Sequence, residues 1–295
     1  MKSRVADRIA TSAIFVCVVI MVGLMFSLLA YILYNGLAHI SWHFLTSDSS
    51  SFQAGGGIKN QLWNSIYILF ITLLISVPLG VAGGIYLAEY AKENRLTSFI
   101  RSCVEVLASL PSIVVGMFGL LLFVDYFNWG YSILSGALAL TVFNLPVIVR
   151  VSEDALRAVS HEEKEASLAL GVTHWHTIKT VLVPAAFPGI LTGVILSAGR
   201  VFGESAALLF TAGLSTPNLD FTNWNPFAPD SPLNLFRTAE TLSVHIWDVN
   251  SQGIIPDVTE VANGSSAVLV IVVLIFNLLA RWIGSLVHKK MSGKS

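Results

Sequence analysis

Glu165-Ala166-Ser167-Leu168-Ala169-Leu170-Gly171, followed by Val181-Leu182-Val183-Pro184, reads as a polar helical hairpin set between long apolar runs. Ser160 and Glu163 stand at capping-box spacing, where each side chain satisfies a backbone N–H left unpaired at a helix start. Gly171 can take the left-handed backbone that closes this first helix, because it has no Cβ to clash. Thr173 is placed to cap a second helix through His176 and Lys179, which Pro184 interrupts by lacking an N–H. Helix, glycine turn and helix make a compact knob. An ordinary connector is the alternative, but a connector needs neither this length nor this spacing. Ordering a charged loop costs entropy that a partner in the water must offset, so the knob reads as a handle.

Around the hairpin the chain is apolar: of 295 residues, 54% are hydrophobic and 12% charged, with a mean hydropathy of +0.72. A water-soluble domain of that composition would aggregate, so an all-α polytopic membrane protein is expected. Six runs, at 11–34, 62–88, 99–124, 131–149, 185–212 and 265–287, are each long enough to cross about 30 Å of hydrocarbon. They divide the chain into a first span with an external loop (1–61), a core (62–287) and a tail (288–295). The core holds the hairpin loop 150–184 and an external segment 213–264. With the N-terminus inside, fourteen Lys and Arg residues share the hairpin's side and only Lys59 and Arg237 face the other. The positive-inside rule then places the hairpin and both termini in the cytoplasm. The first run exceeds a signal-peptide core and is read as retained.

The fifth run contains Gly199-Arg200-Val201-Phe202-Gly203-Glu204-Ser205. On a continuous helix, Arg200 and Glu204 fall on one face. An arginine inside a bilayer costs about 2.5–3.5 kcal/mol on insertion scales, so Arg200 must meet a partner or a water-filled path. Its planar fork suits oxyanions, since it gives two parallel hydrogen bonds and keeps its proton. A structural ion pair that locks two spans is the competing reading, and the two agree if Glu204 orients Arg200 until substrate arrives. Arg150 ends the fourth run and by position alone is an anchor that snorkels to the headgroups. Gly80 and Gly84 form a small-xxx-small packing face, and Pro111 with Gly116 makes a kink that packs or shapes a gate. Pro232 is read as opening an external helix with Leu233, Phe236, Leu242 and Trp247 on it and Arg237 and Glu240 between, suited to the outer membrane surface or the mouth of a transporter.

The hairpin resembles the EAA loop of ATP-binding-cassette (ABC) importer permeases, whose pattern is Glu-Ala-Ala, a Gly four residues on, and a closing Ile-x-Leu-Pro. Here Ser167 replaces the second Ala, and Val181 and Val183 replace Ile and Leu. Gly84-Ile85-Tyr86-Leu87-Ala88-Glu89-Tyr90, Leu110-Pro111-Ser112-Ile113-Val114-Val115-Gly116, Leu145-Pro146-Val147-Ile148-Val149-Arg150 and the run from Gly203 to Ala212 resemble PstA-type permeases of bacterial phosphate importers. The first span matches only in hydropathy, and 215–264 differs in detail. The resemblance implies a type I ABC importer permease fold with six transmembrane helices in the bacterial cytoplasmic membrane. It implies phosphate as substrate, Arg150 and Arg200 on its route, and Glu165, Ala166, Gly171 and Pro184 coupling to a separate ATPase. Its implied partners are a related second permease, an ABC ATPase dimer, an extracytoplasmic phosphate-binding protein and membrane lipid.

No engine is legible in the chain itself. Gly293-Lys294-Ser295 cannot be a phosphate-binding loop, because His288 stands where its first Gly belongs and no helix follows. There is no nucleophile and base pair and no basic stripe for nucleic acid. His174 and His176 face different ways on a helix, and no His/Cys cluster suggests a metal. ATP and Mg are therefore expected on the partner ATPase, with no cofactor and no enzymatic activity in this chain. Two rivals stay open. A permease for another oxyanion, sulfate or molybdate, would use the same arginine chemistry. A self-sufficient secondary transporter or channel would give the hairpin no purpose and would show inverted repeats or broken midplane helices.

Overall fold

In a computed structural model, the described residues 2–50, 54–253 and 255–291 form helices and no strand. Gly293-Lys294-Ser295 and the end of the expected tail lie outside the described residues. The helices are α1 (Lys2–Leu37), α2 (Trp42–Thr46), α3 (Lys59–Ile85), α4 (Arg95–Ser109), α5 (Ser112–Gly119), α6 (Ile133–Arg157), α7 (His161–Ala169), α8 (His174–Thr177), α9 (Val183–Phe202), α10 (Ala206–Leu209), α11 (Leu242–Gln252) and α12 (Val258–Met291). Wider π turns extend α3 (Tyr86–Tyr90) and α5 (Leu120–Tyr126) and join α8 to α9 (Ile178–Leu182). Among the described residues, five helical stretches are long and apolar enough to cross a membrane: Asp7–Leu37, Lys59–Tyr90, Ile133–Arg157, His174–Phe202 and Val258–Val287.

The expected third span is broken into a bent pair, with α4 and α5 meeting at 99°, which makes a sixth span if the pair crosses together. Leu110 and Pro111 are both extended (ψ 137° at each): the proline ring disfavours the helical region for Leu110, and Pro111 has no N–H to continue the α4 hydrogen bonds. α4 is also amphipathic: Leu96, Phe99 and Val106 are exposed, while Arg101 turns back onto the protein. Such a helix suits a membrane interface rather than a crossing.

Three other boundaries move, each for a local reason. The fifth span ends at Phe202, ten residues early, because Gly203-Glu204-Ser205 leaves the helix and Glu204 Oε1 accepts from Ala207 N (3.3 Å) at the start of α10. The fourth runs on to Arg157, so Arg150 lies inside α6 rather than at its end. Pro184 does not stop the helix from α8: the preceding π turn absorbs its missing N–H, and Pro184 sits in the first turn of α9. In the segment expected to be external, Pro232 opens turns instead of a helix, since Ser231 Oγ and Asn234 Oδ1 accept from the backbone two residues on. The helix there starts at Leu242, capped by Thr241, and Arg237 and Glu240 are buried.

α3, α6 and α9 pack side by side, α12 covers α9, and α1 lies outermost against α12. α5 and α10 close the end away from the hairpin, where Gly116 lies against the backbone of Ala207. The buried core runs through Ile68, Leu140, Ala198, Phe202 and Leu208.

Gly80 and Gly84 set the α3–α6 distance. A Cβ on Gly84 would lie 2.5 Å from Ser152 Cβ and 2.9 Å from Glu153 N, whereas Gly23 on α1 faces open space. Gly84→Ala should therefore cost about 1–3 kcal/mol through overpacking, and Gly23→Ala should not destabilise the protein. Thermal unfolding of the two variants in detergent checks this; equal midpoints would refute close packing at Gly84.

Candidate functional site

The knob forms from its own caps. Ser160 Oγ accepts from Glu162 N (3.3 Å) and Thr173 Oγ1 from His176 N (3.4 Å), while Gly171 between them has φ +78°. Ser167 and Thr177 hydroxyls bond across the two helices at 2.9 Å. Glu165 is exposed and meets His161 Nδ1 at 3.2 Å, and Ala166 is exposed beside it. Around the turn the surface is apolar: Leu168, Leu170 and Trp175 all face outward, Leu170 with 84% of its area open. An apolar tip ringed by polar groups on a short rigid knob has the chemistry of an insert for a partner's groove.

The hairpin is fastened to α3 by a residue absent from the sequence reading's candidates. Glu89, on the π turn after α3, binds Lys164 Nζ at 2.7 Å and His174 Nε2 at 3.1 Å through one carboxylate oxygen. On the opposite side of this turn, Arg101 and Arg157 donate to the Leu87 carbonyl and both bind Glu153 Oε1 at 3.0–3.1 Å. The available signal was an acid placed where an apolar run ends, in a stretch otherwise read only for resemblance.

The two arginines expected on the substrate route are aligned by α6. The Arg200 guanidinium carbon sits over the Phe143 ring, 3.7 Å from its centroid, and the group donates no hydrogen bond among the described residues. It makes no ion pair with Glu204, which the break at Gly203 carries off the helix face and into the cap of α10. The ring holds the cation through its face and uses none of its N–H donors, which stay free for a ligand. Phe143 and Arg150 are seven residues apart on α6, hence on one face and about 10 Å apart along the axis. Arg150 touches Glu105 of α4 loosely, at 3.6 Å, with both side chains mostly exposed. Arg200 continues an open face of α9 with Thr192 and Leu196, so both arginines are uncovered in the single chain while Phe143 between them is buried.

The end away from the hairpin is buried and acidic. Arg237 Nη2 donates to Asn64 Oδ1 (2.8 Å) and the Pro232 carbonyl (3.0 Å). Glu240 accepts from Gln61 and meets His245 Nδ1, each at 2.8 Å. Burial pulls the Arg237 pKa down to about 10, a fall the Tyr67 hydroxyl partly offsets. Burial, then Glu240, holds Asp248 above the usual carboxylate range, and His245 works against that rise. This cluster staples α3 to residues 213–264.

Residues 80–293 match the family described as binding-protein-dependent transport system inner membrane component. The chain is 61% identical to the probable ABC transporter permease protein YqgI of Bacillus subtilis over 99% of both chains. It is 29% identical to phosphate transport system permease protein PstA 2 of Mycobacterium bovis, over 97% of this chain and 89% of that one. PstA of Xylella fastidiosa is 38% identical over 60% of this chain and 62% of its own length. Among solved structures, a bacterial alginate ABC transporter with its pentasaccharide-bound periplasmic protein aligns over 96% of both chains, with TM-score 0.68 at 13% identity. The inward-facing MetNI methionine ABC transporter aligns over 80% of this chain and 94% of that one, with TM-score 0.55 at 19% identity. The fold is thus that of type I ABC importer permeases.

The far-end staple gives a test of its own. Arg237→Ala leaves Asn64 Oδ1 without its donor, which should cost about 1–3 kcal/mol for the buried group left unpaired, while the Pro232 carbonyl keeps Trp63 Nε1 at 3.2 Å. Lys59→Ala, which removes a partly exposed pair with Asp48 and a cation–π contact with Phe221 at 5.1 Å, should cost about 1 kcal/mol. Thermal melts in detergent separate the two; an unchanged midpoint for Arg237→Ala would refute the staple.

Proposed function

The chain belongs to the family of binding-protein-dependent transport system inner membrane components, and from that premise we propose that it forms half of the pathway of an ATP-driven inorganic phosphate importer. It is a multi-pass membrane permease subunit of an ABC importer, a transport component rather than an enzyme. The observation that carries the substrate reading is Arg200 over the Phe143 ring with its N–H donors free, in line with Arg150 on α6. An oxyanion is the ligand whose geometry and charge answer those donors. The relatives named for phosphate transport favour phosphate over sulfate or molybdate, which the same fork would also hold. The uncovered faces of α6 and α9 would meet a related second permease, and an extracytoplasmic phosphate-binding protein would deliver the anion from outside.

On this reading the basic bias of the sequence places the hairpin and both termini in the cytoplasm. The exposed tip at Leu170 and Trp175, held by Gly171, docks into a groove of the partner ATPase dimer. Glu165 adds a charge at the rim, and Pro184 sets the angle at which the knob leaves the membrane. ATP and Mg bind on that partner.

Two outcomes are expected. Arg200→Gln should form a complete complex yet lose about 10- to 100-fold in phosphate uptake, the equivalent of a charge-assisted pair worth about 1.5–3 kcal/mol. Arg200→Lys should lose less, because it keeps the charge without the fork. Radiolabelled phosphate uptake, normalised to assembled complex and competed with sulfate and molybdate, decides. Normal uptake by Arg200→Gln would sink the substrate argument, and equal competition by sulfate would favour the wider anion class. Separately, Gly171→Val forces a β-branched residue into φ +78°, a conformation costing about 1–2 kcal/mol for a residue with a Cβ. It should insert normally but release ATP hydrolysis from transport; fully coupled uptake would remove the hairpin from the mechanism.

A further inference from the structure

Glu89 occupies an unusual position for a charge. Its side chain is only 7% exposed, yet it receives Lys164 from α7 and His174 from α8, and the Tyr90 ring meets His174 edge-on at 5.1 Å. These are the only ion pairs between the hairpin and α3 among the described residues. The remaining contact is apolar: Val81, Ile85 and Ala88 of the α3 run pack around Leu156, Ile178, Leu182, Ala186 and Ile190. Apolar surfaces resist separation but slide easily past one another, because the hydrophobic effect is non-directional. A buried carboxylate gripped by donors from two helices does not slide, since any displacement leaves it unpaired in a dry setting.

The load beyond Glu89 is also defined. α3 bears on α6 without side chains at Gly80 and Gly84, and α6 carries both Arg150 and the Phe143 ring under Arg200. The π turn that holds Glu89 is fixed from its other side by Arg101 and Arg157 on the Leu87 carbonyl, so it cannot unwind to absorb a pull. We infer that Glu89 is a positioning residue for coupling: through Lys164 and His174 it converts movement of the hairpin into movement of α3 and hence of the arginine row. This rests on the reading of the hairpin as the ATPase handle.

The test uses the complete transporter, with its ATPase, second permease and binding protein, reconstituted in liposomes with phosphate as the transported probe. The quantity read is phosphate transported per ATP hydrolysed. Glu89→Gln should retain its ATPase subunits and hydrolyse ATP while transporting about tenfold less per ATP, within the range by which single residues alter coupling. Glu89→Asp, which keeps the charge on a shorter arm, should recover part of the loss, as a merely space-filling role would not allow. If Glu89→Gln fails to accumulate in the membrane, the double variant Lys164→Gln/His174→Gln removes the same pairs from their exposed side and should show the same fall. Unchanged phosphate per ATP in Glu89→Gln, or in the double variant, overturns the inference. Loss of the ATPase subunits from an otherwise stable Glu89→Gln complex overturns it too, because Glu89 would then serve docking. Gly171→Val, assayed alongside, keeps the two readings apart. Uncoupling by Gly171→Val but not by Glu89→Gln leaves the handle and removes the tether, whereas full coupling in both removes the handle itself.

Discussion

The side-chain-free approach of α3 to α6 is the contact on which the rest of the molecule hangs. In hydrocarbon there is no water to drive helices together, so association depends on how closely backbones can approach. Gly80 and Gly84 provide that approach against Ile148 and Ser152. With α3 and α6 joined, α9 can lie along α6 and bring Arg200 over Phe143. The same pairing sets the π turn of α3 beside Glu153, where Arg101 and Arg157 pin it.

The departures from ideal helix share a cause. Each of Pro111, Pro184 and Gly203 sits where a straight apolar helix would otherwise continue, and each is answered by nearby groups. At Pro111 the chain turns sharply and α5 resumes against α10. At Pro184 a π turn spreads the strain. At Gly203 the Glu204 carboxylate caps α10, which lets a four-residue helix fold back into the core. Non-helical backbone at membrane depth is tolerated only where protein satisfies it, and each break here is bounded by such partners.

Charge is sorted just as strictly. Cations without strong partners, Arg150 and Arg200, lie along an open row on α6 and α9. Buried charges are gripped: Glu89 and Glu153 near the hairpin, Arg237 and Glu240 at the far end. A buried charge is expensive unless paired, so the gripped set marks where helices are tied. The ungripped set is where the proposed anion route would run.

What the sequence determined by itself was what short-range physics encodes. Hydropathy gave the membrane class, charge asymmetry gave an expected sidedness, and Thr173 and Gly171 gave the caps and turn of the hairpin, because caps and left-handed turns depend on a few adjacent residues. The arginines were visible as costly residues in apolar runs. Tertiary structure alone decided their partners. Arg200 and Glu204 look like neighbours only if the helix continues, and the break at Gly203 puts an aromatic ring from α6 beneath the arginine instead. Arg237 and Glu240 read as part of a helix for the outer membrane surface or a transporter mouth until residues 213–264 fold inward and bury them on Asn64 and Gln61. Glu89 was one acid among eighteen in the composition. It became a tether only when α7 and α8, distant in sequence, were brought against it, and no local pattern records contacts made across such a separation.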